Sequence, residues 1–490
     1  MEKTESDNFY VTTSIPYANG DPHLGHALEF IMADVLARSA RQRGRNVIFS
    51  TGMDEHGEKV AEKAASLKLT PEQYVGKISD EFKSLQKILN ISNDRFIRTT
   101  DKGHEQRAAI IWQKLSHDIY KGKYSGWYDV KQEEFVPEGQ VDKARTDPSH
   151  PQAYKKLEEN NYFFKLSKYT KPILDAIESG SFEIIPGSKK NEITSLLREG
   201  LQDISISRPK SKLEWGIMVP GDSSQVMYVW FEALMNYLTV LGYPENDDFK
   251  KFWPADVQVV GKDISRFHAA IWPAMLMSLE LPLPKKLYIH SFVYIDGQAM
   301  SKSLGNGIHP KEIVDRYGVD AFRYFFLRHI PSYNDGDFSW DLMEAAYNNE
   351  LANQLGNAVQ RTASMVLKYQ KGLIGEMPQA DHDIGPYQEA LENCQFDRAM
   401  DEIFQQIKGL NQYIDEEKPW ILAKSNDGDH LREVLAYQAG SLVQIADLLE
   451  PFLPDAATKI RYVFKDGVIR PLKTMLFPRK ELADKTKPQA

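Results

Sequence analysis

The sequence contains one cysteine, Cys394, in 490 residues. A single thiol excludes an internal disulfide, and it excludes a zinc site built mainly from cysteines. A chain without disulfides is typical of a reducing compartment, so we expect a cytoplasmic location.

Long apolar runs and an excess of positive charge are also missing. No stretch is apolar for about 18 residues, so we expect no transmembrane helix and no membrane partner. The N-terminal residues are polar and acidic and lack the apolar region of a signal peptide. The formal net charge of −9 argues against a general nucleic-acid binder, although an acidic protein can still carry a basic face.

The rest of the composition is that of an ordinary globular protein. Hydrophobic residues make up 42% of the chain and charged residues 26%. A chain of 490 residues is too long for one hydrophobic core, so we expect about two to four domains.

The stretch from Tyr10 to His26 has the pattern of a strand, a turn and a helix. It begins with β-branched and aromatic residues, breaks at proline and Asn-Gly turn signals, and continues into a helical repeat after His26. His23 and His26 are three residues apart, so their imidazoles share one face of the helix start. Gly25 lets a ligand approach the backbone, and the helix N-terminus favours an anion such as phosphate. Histidines that merely cap a helix in an ordinary α/β protein would give the same pattern.

A second motif far along the chain decides between these interpretations. His23-Leu24-Gly25-His26 and Met300-Ser301-Lys302-Ser303 together resemble the two signatures of class I aminoacyl-tRNA synthetases. The intervening sequence resembles the methionyl-tRNA synthetase family, and the resemblance covers nearly the whole chain. Ala299 stands where the second signature normally begins with lysine, so its catalytic charge falls on Lys302.

The resemblance implies ATP-dependent ligation of L-methionine to tRNA(Met), including the initiator tRNA. A methionyl adenylate forms with release of pyrophosphate, and AMP leaves in the second step. Magnesium would arrive with ATP. The catalytic residues implied are His23, His26 and Lys302. The ATP-binding residues implied are Gly25, Glu29, Gly261, Asp263, Ser301, Lys302 and Ser303.

The resemblance also implies a methionine pocket and an anticodon site. The pocket would be formed by Ile15, Tyr17, Asp54, Trp230, Ala233, Tyr237, Ile264, Phe267, His268 and Trp272. Asp54 would pair with the substrate ammonium, and aromatic edges suit a polarizable thioether. The anticodon residues would be Asn357, Arg361, Pro419 and Trp420. Without the resemblance, the aromatic residues are equally consistent with core packing, and Lys302 with an exposed loop.

The order of elements predicts an α/β protein with a doubly wound parallel sheet. We expect a Rossmann-like catalytic domain at residues 1–120 and 221–290, which resumes with a strand near 225–229. An inserted connective domain with little helix would occupy 121–220, a signature-loop and stem-contact region 291–344, and an α-helical bundle 345–490. In the family the insertion usually carries zinc-binding cysteines. Here Asp129, Gln132, Asp147 and His150 stand near those places, so no structural zinc is expected.

Three other functions remain open on the sequence alone. The chain could be a class I synthetase for leucine, valine or cysteine, although it lacks a large editing insertion. It could be a tRNA-binding protein that has lost catalysis, or a simple nucleotidyltransferase with the same histidine turn. The absence of an appended tRNA-binding domain that dimerises some relatives favours a monomer with no obligate protein partner.

Overall fold

The computed structural model describes residues 7–130, 134–136, 141, 154–300, 306–378, 383–425 and 427–480. Within these residues the strands are β1 (Asn8–Thr13), β2 (Asn46–Met53), β3 (Arg95–Arg98), β4 (Ile119–Asp129), β5 (Glu134–Val136), β6 (Tyr154–Phe164), β7 (Glu183–Ile185), β8 (Ile204–Ser205), β9 (Ser207–Pro209), β10 (Met218–Val219), β11 (Asp222–Met227), β12 (Val257–Gly261), β13 (Lys286–His290), β14 (Val293–Ile295), β15 (Gln298–Ala299) and β16 (Gly336–Phe338).

The α-helices of the same residues are α1 (Leu24–Gln42), α2 (Glu58–Ser66), α3 (Pro71–Ile88), α4 (Lys102–Lys114), α5 (Thr170–Ser179), α6 (Gly187–Glu199), α7 (Val229–Ala233), α8 (Asn236–Thr239), α9 (Asp247–Phe252), α10 (Trp272–Ser278), α11 (Pro310–Tyr317), α12 (Val319–Arg328), α13 (Trp340–Ala346), α14 (Asn357–Gln370), α15 (Gly385–Glu392), α16 (Phe396–Glu417), α17 (Pro419–Leu422), α18 (Gly428–Leu449) and α19 (Pro454–Val463). Two π-helical segments, Phe267–Ile271 and Tyr347–Gly356, lead into α10 and α14.

The chain divides into two compact units. The first contains Met1–Pro22, Gly44–Ser84 and Ser92–His290, and the second contains His23–Arg43, Leu85–Ile91 and Ser291–Ala490. Helix α1, which we assigned to the catalytic domain from sequence, therefore belongs by its contacts to the second unit.

The first unit contains the predicted parallel sheet. Its six strands follow the order β3-β2-β1-β12-β13-β7, and all neighbours run parallel. The order of strands reverses between β1 and β12, which makes that pair the topological switch point where doubly wound sheets bind ligands. We therefore expect a ligand-binding site at the carboxyl ends of β1, β2 and β12.

One face of this sheet carries the core of the first unit. Alternate strand residues such as Tyr10, Ile48 and Val260 point to that face and join a large apolar cluster. Tyr237 and Trp272 belong to the same cluster. The predicted pocket residues and the core are thus built from the same helices.

The segment between residues 121 and 220 differs from the prediction in two ways. Much of it forms a four-stranded antiparallel sheet in the order β5-β4-β6-β8, but β7 returns to the main sheet and pairs with β13. It also contains α5 and α6, where we expected little helix. Each is short and buries only two or three residues, so few apolar positions mark it in the sequence.

The expected return to the main sheet at residues 225–229 is wrong. Strand β11 pairs antiparallel with β9 and β10 in a separate three-stranded sheet. The β-prone residues Gln225 to Met227 predict a strand correctly, but local sequence does not identify a strand's partner.

The second unit is mainly helical after the hairpin of β14 and β15. Asp296 and Gly297 join these strands with φ angles of 49° and 73°, as a tight two-residue hairpin turn requires. The long helices α14, α16 and α18 bury apolar faces against each other, which confirms the predicted helical bundle. Among the described residues, no helix has the length and apolar character needed to cross a membrane.

Candidate active site

The histidine motif lies at the first turn of α1, a helix of 19 residues. His23 is the N-cap and is exposed, and its Nδ1 accepts a hydrogen bond from the N–H of Gly25 at 3.1 Å. His26 is half-buried, and its Nδ1 accepts from the N–H of His23 at 3.3 Å. The two imidazoles stack with ring centres 3.7 Å apart. The helix therefore begins at Leu24, before His26, and the rings share one face as predicted.

These cap bonds fix the tautomer of both rings. A nitrogen that accepts a hydrogen bond carries no proton, so each neutral imidazole holds its proton on Nε2. The capping interpretation and the phosphate-binding interpretation are consequently compatible. In each ring Nδ1 accepts a cap bond, and an Nε2–H group has the chemistry to donate to an anion at the positive end of the helix. Gly25 and Glu29 lie on the same first turns, and Glu29 is buried.

Asp54 lies directly after β2, at the carboxyl edge of the sheet. Its backbone pairs with the segment after β1, since its N–H donates to the carbonyl of Pro16 at 2.9 Å and its carbonyl accepts from Ala18 at 2.8 Å. Tyr17 and Asp54 therefore form a parallel bridge that extends the sheet. Asp54 is 4% exposed, and Ile15 and Tyr17 are half-buried. The structure thus brings three predicted pocket residues together at the switch-point edge.

Trp230 and Phe267 form one wall of the predicted pocket. Their rings stack with centres 4.0 Å apart and an interplanar angle of 9°. Trp230 lies on α7 together with the buried Ala233, and Phe267 lies on the π-helical segment before α10. Pro273, in the first turn of α10, has no N–H to donate to the preceding turn, which suits a wider helical turn there.

Tyr237, His268 and Trp272 form the buried base of the same region. The hydroxyl of Tyr237 lies 2.7 Å from Nε2 of His268, and Nδ1 of His268 lies 3.0 Å from the carbonyl of Ile264. Because a carbonyl only accepts, Nδ1 carries the imidazole proton, and Nε2 accepts a hydrogen bond from the Tyr237 hydroxyl. The indole of Trp272 packs on Tyr237 with ring centres 5.6 Å apart. All three side chains are at most 3% exposed.

Gly261 and Asp263 lie at the carboxyl end of β12, on the other side of the switch point. A Cβ atom at Gly261 would stand 2.7 Å from the Asp263 carboxylate, so a larger residue there would require that side chain to move. Asp263 is exposed and Ile264 is half-buried. An exposed carboxylate at the end of a central strand can accept hydrogen bonds from ribose hydroxyls.

The predicted anticodon residues meet at the helical bundle of the second unit. Asn357 begins α14 and is exposed, and Arg361 follows one turn later. The guanidinium of Arg361 lies 5.5 Å from the ring centre of Trp420 and makes an ion pair with Asp415 at 2.9 Å. Pro419 is buried, and Trp420 is half-buried rather than a core residue. Arginine and an accessible indole together can bind an unpaired base.

Comparison with known proteins identifies the family. A family model described as tRNA synthetases class I (M) matches residues 9–363. The chain belongs to the methionine type of class I tRNA synthetases.

Named relatives agree over most of this synthetase. Methionine–tRNA ligase of Brucella melitensis is 40% identical over 472 residues, covering 93% of this chain and 91% of the relative. The same enzyme of Bacillus subtilis is 41% identical, covering 93% of this chain and 73% of the relative. The structure of Mycobacterium tuberculosis methionyl-tRNA synthetase in complex with methionyl-adenylate superposes with a TM-score of 0.91 at 37% identity, covering 96% of this chain and 100% of that one.

Part of the predicted site lies outside the described residues of this synthetase. Ser301, Lys302 and Ser303 of the second signature are among them, as are Gln132, Asp147 and His150 of the connective segment. Within the described ranges, no group of three or more histidine, cysteine, aspartate or glutamate side chains could hold a metal ion. The expectation of no structural zinc therefore stays a prediction.

One buried network of this synthetase was not predicted from sequence. Glu232 is hydrogen-bonded to His56 and His104, and all three are at most 3% exposed. His56 lies in the motif after Asp54, and Glu232 is a charged residue inside the apolar stretch from Trp230 to Leu234. A carboxylate within such a stretch is the signal that could have indicated a buried polar partner.

Proposed function

We propose that this protein ligates L-methionine to tRNA(Met) in two ATP-dependent steps. In the first step the methionine carboxylate attacks the α-phosphorus of magnesium-bound ATP, forming methionyl adenylate and releasing pyrophosphate. In the second step a ribose hydroxyl of the terminal adenosine of the tRNA attacks the adenylate carbonyl, and AMP leaves. The arrangement of Asp54 and the aromatic residues at the switch-point edge of the sheet is the observation that carries the proposal.

Asp54 supplies the contact for the substrate ammonium in this proposal. Its carboxylate lies just beyond β2 and is almost fully buried, so a paired cation there is held by a strong charge-assisted interaction. The backbone bridge to Tyr17 fixes the position of the carboxylate. An amino acid held by its ammonium group at this edge has a defined orientation for attack by its carboxylate.

The methionine side chain is recognised chiefly through aromatic contact. The Tyr237 hydroxyl donates a hydrogen bond to His268, so its O–H group already has an acceptor before substrate binds. A thioether gains about 0.3–1.5 kcal/mol from contact with an aromatic ring, and Tyr237, Trp272 and the Trp230–Phe267 stack provide such rings. A branched aliphatic side chain lacks the polarizable sulfur and has a different shape.

His23 and His26 act on the phosphates of ATP. Their Nε2–H groups and the N-terminus of α1 stabilise the negative charge that grows on phosphate oxygens in the transition state. We assign Lys302 the same task toward pyrophosphate on the basis of the signature, and Gly261 and Asp263 the nucleoside contact. No protein nucleophile takes part, so catalysis depends on positioning and electrostatics.

The tRNA is read by the bundle through Asn357, Arg361, Pro419 and Trp420. Stacking of a base on an aromatic side chain contributes about 1–3 kcal/mol, so Trp420→Ala should lower aminoacylation kcat/KM for tRNA by about 5- to 150-fold. Arg361→Ala should lower it as well. ATP–pyrophosphate exchange without tRNA should be unchanged in both variants. Equal loss in both assays would contradict the assignment.

The proposal includes the initiator tRNA as a substrate and a cytoplasmic location. It also includes a monomeric state, which light scattering of the purified protein tests.

ATP–pyrophosphate exchange without tRNA tests the first step directly. The wild type should exchange with methionine and not with leucine, isoleucine, valine or cysteine. Asp54→Ala should lower kcat/KM for methionine by about 100-fold, because a hydrogen bond to a charged group is lost. Asp175→Ala, which removes an exposed carboxylate of α5, is the matched control and should retain exchange.

The possible outcomes separate the alternative functions. Exchange with another amino acid would keep the reaction class and overturn the methionine pocket. No exchange with any amino acid, with or without tRNA, would overturn the ligase activity, and tRNA binding by that inactive protein would identify a tRNA-binding protein without catalysis. Exchange that requires no amino acid would indicate a simple nucleotidyltransferase.

A further inference from the structure

Four buried side chains form a continuous hydrogen-bonded network beside the methionine pocket. His56 Nδ1 lies 2.7 Å from one carboxylate oxygen of Glu232, and His104 Nε2 lies 2.9 Å from the other. His104 Nδ1 lies 2.8 Å from the hydroxyl of Thr239. The most exposed member, Thr239, is only 5% exposed.

The network contains a buried histidine–carboxylate pair, His56 and Glu232, in which each group favours the charged form of the other. Burial alone would lower the pKa of His56, but the charge of Glu232 and its hydrogen bond raise the pKa above the usual value. Burial opposes ionisation of Glu232, yet the charge of His56 and the hydrogen bond from His104 hold the pKa of Glu232 below its usual range. Removing one partner of such a pair leaves the other charge buried and uncompensated.

Each of three network residues stands two positions from a residue of the predicted pocket. His56 follows Asp54, Glu232 follows Trp230, and Thr239 follows Tyr237, each by two residues. The network therefore joins the segment that carries the ammonium contact to the two helices that carry the aromatic residues.

Those two helices need external support. Helix α7 has five residues and α8 has four, which is far below the length at which a helix is stable by itself. Their positions therefore depend on tertiary contacts, and Glu232 and Thr239 provide buried polar contacts from each helix to the same histidine, His104.

The segment around His56 is held from its other side as well. Trp215 donates from its indole N–H to the carbonyl of Glu55 at 2.6 Å, and Arg98 pairs with the Glu55 carboxylate at 2.7 Å. The N–H of Glu55 donates to Thr99 at 2.9 Å. The segment held by these bonds is linked through His56 to Glu232 of α7.

We propose that His56, Glu232, His104 and Thr239 are positioning residues that hold Asp54 in register with Trp230 and Tyr237. In this way they couple binding of the substrate ammonium to binding of its side chain. The inference rests on the proposed function, since it concerns affinity for methionine at that site.

Glu232→Gln tests the proposal, because it keeps the size of the side chain and removes the charge. In methionine-dependent exchange we expect KM for methionine to rise about tenfold while kcat changes less than threefold, since the bound geometry is loosened but the phosphate-binding residues are untouched. Glu350→Gln is the matched control. Like Glu232, Glu350 accepts hydrogen bonds from several side chains, among them Arg328 and His329. It belongs to the helical unit and not to the network, so its variant should keep the wild-type KM for methionine.

A double-mutant comparison separates positioning from a general structural role. If Glu232 acts through Asp54, the variant carrying Asp54→Asn and Glu232→Gln should lose little more kcat/KM than Asp54→Asn alone. If the fold losses of kcat/KM in the two single variants instead multiply in the double variant, the proposal is overturned. Thr239→Val replaces the hydroxyl with a methyl group and is the variant to use if Glu232→Gln does not fold. A KM for methionine within twofold of wild type in every folded network variant would also overturn the proposal. Exchange by the wild type must be present in the same experiment, so failure of the proposed function is distinguished from failure of this inference.

Discussion

At the scale of single residues, the ring nitrogens of His23 have different tasks. Nδ1 caps α1, and Nε2–H is the donor that we assign to phosphate. Asparagine places an oxygen near the position of Nδ1, and glutamine places an amide near the position of Nε2. His23→Asn should therefore keep the free energy of unfolding and lower kcat of exchange about 100-fold. His23→Gln should lose about 1 kcal/mol of stability and retain more activity than His23→Asn.

His309 provides a matched control for this prediction. It caps α11 with the same geometry, since its Nδ1 accepts from the N–H of Lys311 at 3.1 Å. His309→Asn should change neither stability nor exchange. If His23→Asn were as active as the wild type, His23 would be a cap alone. Urea unfolding and ATP–pyrophosphate exchange on the same preparations decide this.

A buried carboxyl on α12 should make stability depend on pH. Burial raises the pKa of Asp320 to about 6, although the N–H of Ala456 and the charge of Arg323 oppose the rise. The folded chain therefore binds more protons than the unfolded chain between about pH 4 and 6, so stability from this group is present at low pH and is lost as pH rises through 6. Relative to Asp320→Asn, the wild type should lose about 1.5 kcal/mol of unfolding free energy between pH 5 and 7.5.

The comparison of two chains isolates this residue from the other titrating groups. Urea unfolding of the wild type and of Asp320→Asn at several pH values gives the difference in free energy directly. Parallel curves from pH 5 to 7.5 would contradict the prediction.

At the scale of elements, long periodic segments could be predicted and interrupted ones could not. The capping box of Thr70 and Gln73 is present at the start of α3, and the helices of the bundle lie where their apolar repeats indicate. The residues at 230–238 favour one helix by their pattern, and the structure has two short ones there, α7 and α8. The two π-helical segments have the same apolar repeats as α-helices, so the sequence pattern does not distinguish them.

The candidate site follows the same rule. Asp54, Gly261 and Asp263 could be placed because each follows a recognisable strand, and the ends of parallel strands meet at one edge. The partners of Glu232 could not be placed, because His56 and His104 are more than 120 residues away in the chain and no periodicity relates them. The strand at 222–227 shows the same limit, since its partners lie outside the main sheet.

Arg323 connects several elements of the second unit. Its side chain is fully buried, pairs with Asp34 of α1 at 2.8 Å, and donates to the carbonyls of Leu89, Pro451 and Phe452. Arg323→Met should remove these bonds, leaving three carbonyls without this donor and the buried Asp34 carboxylate paired with Arg38 but not with Arg323. We expect a loss of about 3–5 kcal/mol of unfolding free energy, measured by urea titration.

An exposed ion pair of the same unit gives the comparison. Lys311 pairs with Asp315 one turn later on α11, and both are more than half exposed. Lys311→Met should change stability by less than about 0.5 kcal/mol. Equal effects of the two substitutions would mean that the buried network contributes little.

At the scale of the whole molecule, the sequence pattern and the contacts in the structure assign α1 to different parts of the chain. The sequence pattern places α1 in a catalytic domain that ends at residue 290, and the contacts place it with the helical unit. Helix α1 packs against α12, Asp34 pairs with Arg323, and Gln42 donates to the carbonyl of Asp447 at 2.6 Å. The helix that carries His23 and His26 thus depends on residues far beyond the parallel sheet.

A chain that ends at His290 distinguishes the two descriptions. It keeps every strand of the parallel sheet but loses Arg323 and the other partners of α1 that lie beyond residue 290. Fourteen of the 19 residues of α1 are buried, so losing those partners exposes apolar surface, and Asp34 keeps Arg38 but loses Arg323. We expect this fragment to lack a cooperative urea transition and to show no exchange. A fragment that unfolds cooperatively and binds methionine would instead show that the sequence-based domain is the folding unit, and that the contacts of α1 with the bundle are dispensable for it.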